Sequence, residues 1–175
     1  MTSRYARPVR WLHWLLALLL LAQFAFGFWL SEVPRNTPER GLFINLHKTS
    51  GLLIGCLILL RIFFRLRHLA PPLPLPGWQK YLAKASHLVL YFLMLLMPLS
   101  GYLAANFSKH GIKLFNRFVL PAWGPDDKFF YTIFNQTHKV AALLLLSFIA
   151  LHLLAAAWHG LRRDGIFSRI SLRPF

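Results

Sequence analysis

Hydrophobic positions fall along this chain in four long blocks, separated by polar stretches marked by proline and glycine. The blocks run roughly over 11–30, 43–64, 83–104 and 136–158. A helix of about 20 mostly apolar residues crosses the hydrocarbon core of a bilayer, so each block is long enough to span. The pattern predicts an all-α, integral membrane four-helix up-and-down bundle, built as a single domain over 1–175. Arg4, Arg7 and Arg10 precede the first block as they would in a signal peptide. That block is about twice the usual signal h-region, and no small-x-small cleavage site follows it. It is read as a retained helix.

The connections differ in kind. Residues 31–42 are short and hold Pro34, Asn36, Pro38 and Gly41, all turn formers. Residues 69–77 read L-A-P-P-L-P-L-P-G, an extended proline-rich spacer. Residues 106–135 form a long stretch in which Phe107, Phe115, Phe118, Trp123, Phe129, Phe130 and Tyr131 alternate with Lys109, Lys113, Arg117 and Lys128. Such a mixture suits a segment lying in the membrane interface. Trp11, Trp14, Trp29, Trp78 and Trp158 sit near the block ends, where interfacial anchors belong.

Composition agrees with the pattern. Hydrophobic residues make up 57% of the 175 and charged residues 14%, more apolar surface than a water-soluble domain of this size can cover. The net charge of +15 changes the picture only through its layout. Arg4, Arg7, Arg10, Arg61, Arg65, Arg67, Lys80, Lys84, Arg162, Arg163, Arg169 and Arg173 fall on one side of a four-pass chain, against the single acid Asp164. Glu32, Glu39, Asp126 and Asp127 all fall on the other. The positive-inside rule then places the N- and C-termini in the cytoplasm. Charges that hug helix ends are not a nucleic-acid-binding tail. The basic tail after Arg162 is read as lying on the inner leaflet or as disordered. Cys56 lies alone within the second block, and no C-x-x-C-H occurs, so haem would not be attached in the c-type manner.

An ionisable residue inside a membrane helix is expensive and by default marks a functional site. His13, His47, His87, His138 and His152 all fall in or at the ends of the blocks. His138 and His152 are 14 residues apart; at 100° and 1.5 Å per residue they point to nearly the same face, about 21 Å apart along the axis. Two stacked sites are implied, one near each surface. The alternating direction of the helices gives each a partner at its own depth: His47 with His138 at the outer level, His13 with His152 at the inner. Facing imidazoles across a bundle interior are the arrangement that ligates haem iron axially. His87 also falls at the inner level and competes with His13; spacing alone does not choose between them. A zinc site would need three or four ligands at one depth, and the helices contain almost no carboxylates.

Gly27 lies 14 residues after His13, Gly101 lies 14 after His87, and Gly51 and Gly55 form a G-x-x-x-G just below His47. Glycines at these depths give a haem plane room between helices, although small-residue helix packing uses the same pattern. Arg61 lies 14 residues after His47, so it reaches the inner level, where it and Arg10 are candidates for haem propionates. Lys48 and Lys139 adjoin the outer histidines and are candidates there.

These features resemble the bacterial cytochrome b561 family of small four-helix dihaem membrane cytochromes. The resemblance rests on Y-A-R-P-V-R-W-L-H-W around His13, N-L-H-K-T-S-G around His47, A-S-H-L-V-L-Y around His87, and the span from His138 to His152. It implies two haem b groups in the bundle core with His13, His47, His138 and His152 as iron ligands, and it sets His87 aside. It also implies residence in the bacterial inner membrane and electron transfer from superoxide or another outer-face donor to ubiquinone. His159, seven residues after His152, is then expected to hydrogen-bond a quinone carbonyl. The rival functions are a passive electron-transfer subunit that serves a partner enzyme and a histidine-based proton-coupled transporter. The transporter fits less well, because transporters favour broken helices and midplane polar sites.

Overall fold

The computed structural model describes residues 4–68, 70, 72 and 75–172. Residues 69, 71, 73 and 74 of the proline-rich spacer expected over 69–77 lie outside those described, as does Arg173 of the basic tail. Among the described residues are four long helices: α1 (Arg7–Glu32), α2 (Arg40–Arg67), α3 (Gly77–Asn106) and α4 (Lys128–Arg162). All four are long and apolar enough to cross a membrane. They run up and down in sequence, with α1 packed on α2, α2 on α3, and α3 on α4.

Each helix outruns its apolar block, because helix ends continue into the interface on local signals. Pro8 stands in the first turn of α1, where its missing N–H costs nothing. At α4, Asp127 is the N-cap: its Oδ1 accepts from the Phe129 and Phe130 amides at 2.8 and 3.1 Å. That carboxylate starts the helix at Lys128, about two turns before the apolar run begins.

Where the sequence pointed to one interfacial stretch, the chain also folds a small antiparallel hairpin, β1 (Ile112–Leu114) and β2 (Phe118–Leu120). Phe115 and Asn116 at its tip both have positive φ, and the Arg117 amide closes the turn on the Leu114 carbonyl at 3.0 Å. The hairpin docks on the N-terminal end of α2. Lys48 Nζ donates to the Gly111 carbonyl at 2.8 Å, and the Phe115 amide donates to Thr49 Oγ1 at 3.3 Å. At the opposite end of the bundle, the tail packs on α1. The Trp14 indole N–H donates to the Ile170 carbonyl at 3.0 Å and Arg10 Nη1 to the Ser171 carbonyl at 2.6 Å.

The core is apolar and central. Leu16, Ile54 and Ile58 form one cluster; Phe24, Leu90, Leu93 and Leu145 form the other. Leu145 is fully buried and lies seven residues from both His138 and His152. Apolar packing therefore separates the two histidine levels. Large apolar side chains such as Leu18, Leu88 and Leu154 face outward, as lipid contact requires.

Candidate functional site

The level expected to face outward, called outer below, is built from α2 and α4. The ring centroids of His47 and His138 stand 6.3 Å apart with planes at 85°. Each ring is held from behind. Nδ1 of His138 bonds the Met97 carbonyl on α3 at 2.9 Å; as the donor it leaves Nε2 with its lone pair. Nδ1 of His47 lies 3.2 Å from Nε2 of Gln23 on α1, and Phe26 flanks the ring at 5.8 Å.

Glycine makes these approaches possible. A Cβ added at Gly27 would stand 3.2 Å from His47 Cε1, and one at Gly101 would stand 3.1 Å from His138 Nδ1. The two glycines flagged by spacing thus lie against the imidazoles themselves, one against each ring. Gly55 lies against the Pro98 ring of α3.

The inner level is more crowded. His13 and His152 have centroids 6.2 Å apart at 74°. His87 approaches His152 from α3 at 5.7 Å and 68°. Arg61 is brought to this level, as its spacing from His47 required. Its Nη2 lies 3.1 Å from His13 Nδ1 and its Nη1 donates to the Tyr91 hydroxyl at 3.3 Å. Trp14 stands edge-on to His13 at 5.4 Å. Among the described residues, Nε of Arg10 is buried without a hydrogen-bond partner.

The remaining candidates are placed as follows. Lys48 is tied to the hairpin through Gly111, while Lys139 is exposed beside His138. His159 Nδ1 pairs with Asp164 Oδ2 at 2.5 Å just beyond the end of α4. Slight desolvation of Asp164 works the other way, but hydrogen bonds from His159 and the Ile166 amide hold its carboxyl below the ordinary carboxylate value. Among the described residues no group of three or more His, Cys, Asp or Glu side chains is arranged to hold a metal ion. The sequence reading missed Gln23, Tyr91 and the Met97 carbonyl. A lone amide inside the apolar run of α1 was the available signal for Gln23; Met97 carried none, because its contribution is backbone.

The pairs can be tested against haem. Two metal–imidazole bonds of about 2.0–2.1 Å, with ring centres about 1.1 Å behind the ligating nitrogens, put the centroids about 6.3 Å apart. The 6.3 and 6.2 Å separations match that span, and imidazole nitrogens are a donor set that suits iron.

Residues 4–171 match the family described as Prokaryotic cytochrome b561. Cytochrome b561 homolog 2 of Escherichia coli is 32% identical over 113 residues, covering 63% of this chain and 60% of that protein's length. Cytochrome b561 homolog 1 of the same organism is 25% identical over 174 residues, covering 98% of each. The chain belongs to the prokaryotic cytochrome b561 family and is thus a multi-pass membrane cytochrome of the b type, an electron-transfer protein that uses haem b.

Proposed function

We propose that the chain holds two haem b groups stacked across the bacterial inner membrane and carries electrons from an outer-face donor, superoxide or another small reductant, to ubiquinone at the inner face. His47 and His138 are the outer axial ligands; His13 and His152 are the inner ones. The observation that carries this reading is the pair of imidazole separations, 6.3 and 6.2 Å, at opposite depths of one helix. His13 is preferred to His87 because its distance from His152 reproduces that of the outer pair, whereas the 5.7 Å approach of His87 is shorter than an iron-bridged pair spans. Resemblance to the family supports the same choice.

Haem b, when bound, supplies one-electron chemistry at its iron. The chain's own residues do the rest. Met97 directs the lone pair of His138 into the site. Arg61 lies against His13 Nδ1. A guanidinium only donates, so when His13 ligates through Nε2 and carries its proton on Nδ1, Arg61 turns from that nitrogen. With the Nε of Arg10 it then provides positive charge for propionates at the inner level. Lys48 and Lys139 do the same at the outer level and attract an anionic donor. At the inner face Asp164 fixes the His159 ring through Nδ1. Protonated at both nitrogens, the ring would donate its Nε2–H to a quinone carbonyl and pass that proton on as the quinone is reduced. Both termini lie in the cytoplasm, as the excess of Arg and Lys at that end supports.

Purified protein in detergent should show reduced b-type absorbance bands and two haems per chain. Stopped-flow mixing with superoxide should reduce the haems, and added ubiquinone should reoxidise them. Two haems without superoxide reduction at low salt would leave a passive carrier serving a partner enzyme; colourless protein would remove the whole reading.

A further inference from the structure

Gln23 interrupts the apolar run of α1, and a primary amide within a membrane span is costly unless its polar groups are paired. The structure pairs both ends. Gln23 Nε2 donates to the His47 carbonyl at 2.9 Å and lies 3.2 Å from His47 Nδ1, while Oε1 accepts the Ser50 hydroxyl at 2.8 Å. Packing of α1 on α2 accounts for the carbonyl and hydroxyl contacts. It does not require the contact at Nδ1.

That contact bears on the tautomer. As drawn, the amide donates to Nδ1, which puts the ring proton on Nε2. A ring that gives its Nε2 lone pair to iron carries its proton on Nδ1 and needs an acceptor there. Turning the amide over exchanges Nε2 for Oε1 with almost no change of shape. Ser50 permits either orientation, because its hydroxyl also lies 2.8 Å from the Leu46 carbonyl. It can donate to Leu46 and accept from the turned amide. In the turned form Oε1 meets the His47 carbonyl oxygen, so the amide must ease away. The resulting bond to Nδ1–H is weaker than that of His138 to Met97.

We propose that Gln23 is a positioning residue for His47: its amide, turned over, accepts the Nδ1–H of the ligating imidazole and sets the reduction potential of the outer haem. The proposal rests on the reading that His47 ligates iron. An acceptor at Nδ1–H makes the imidazole more electron-rich and favours the ferric state, which carries the extra positive charge.

The test is a redox titration of the haem-loaded, full-length protein, followed by absorbance. The outer component is identified as the one missing from His138→Ala. Gln23→Leu, which removes the acceptor, should raise the outer potential. Gln23→Glu, which strengthens it, should lower the outer potential. The inner potential should stay in place in both variants. This opposite-signed pair sustains the proposal, since a purely packing role would move both variants the same way. Any other pattern in variants that keep two haems overturns it while leaving the ligand assignment intact. If Gln23→Leu does not retain the outer haem, Gln23→Met, which keeps the side-chain length and removes the amide acceptor without adding charge, decides: a raised outer potential sustains the proposal, an unmoved or lowered one overturns it. If His47→Ala keeps both haems, it is the ligand reading that falls.

Discussion

The imidazoles of His47 and His138 face each other from α2 and α4 at 6.3 Å between centroids, with planes at 85°. His13 and His152 repeat the relationship at the other end of α4, at 6.2 Å and 74°. If each pair holds its own haem, the two sites are separable. His47→Ala or His138→Ala should leave one haem per chain, and so should His13→Ala or His152→Ala, with the losses falling on different spectral components. Haem content by pyridine extraction and low-temperature spectra of the reduced protein check this. Loss of both haems from His47→Ala would mean that the sites fold as one unit.

His87 provides the complementary measurement. It is the third imidazole at the inner level, 5.7 Å from His152. His87→Ala should keep two haems per chain, because His13 remains opposite His152. Loss of the inner haem from His87→Ala, with His13→Ala harmless, would reassign the ligand to α3.

Gly101 makes the approach of α3 to His138 possible. Its absent Cβ would lie 3.1 Å from Nδ1 and 3.2 Å from Cε1 of that ring, while Nδ1 is also held by the Met97 carbonyl at 2.9 Å. The ring cannot retreat without losing that bond. Gly101→Ala should cost about 1–3 kcal/mol, in the range of overpacked interiors, and the loss should appear as reduced occupancy of the outer haem alone. Spectra of the variant at limiting and saturating haem distinguish this from a general loss of fold.

Asp127 is an ordinary cap in an unusual place, starting α4 outside the apolar run. Its Oδ1 accepts from two backbone amides, so Asp127→Ala should destabilise the helix start by about 0.5–2 kcal/mol. Thermal unfolding in detergent measures it. Asp127→Asn, which still offers a side-chain oxygen, should recover most of the loss.

The parts of this architecture that sequence made legible are those set by periodicity. Four apolar blocks gave the four helices, and the 14-residue step from His138 to His152 placed two levels on one face because helical geometry admits little else. The same step carried Arg61 to His13 and brought Gly27 and Gly101 to the rings. What stayed hidden depended on contacts between distant segments. The hairpin turns at Phe115 and Asn116, both at positive φ, without the Asn-Gly or Asp-Gly pair that announces such a turn. It is held instead by Lys48 and Thr49. The C-terminal tail, expected on the inner leaflet or without order, is held on α1 through Arg10 and Trp14. Gln23 gave no sign of its partner, because His47 is brought beside it only by the packing of α1 on α2.

Charge at the outer face supplies the last prediction. Lys48 is fixed to the hairpin and Lys139 is exposed, and both adjoin outer histidines. A small anion such as superoxide would be drawn to this end by their field, an effect that raises association rates by about 10–10³-fold in favourable clefts and is screened beyond about 10 Å at 0.1 M salt. Haem reduction by superoxide should therefore slow as ionic strength rises. Lys139→Glu should slow it further at low salt and flatten the salt dependence, with rates taken per outer haem bound, because the same lysine also serves that haem's propionates. A neutral reductant should show neither effect, which separates steering from a change in the haem itself. If the superoxide rate is indifferent to both salt and Lys139→Glu, the anion is not guided by this surface, and the outer donor must be sought among uncharged reductants or partner proteins.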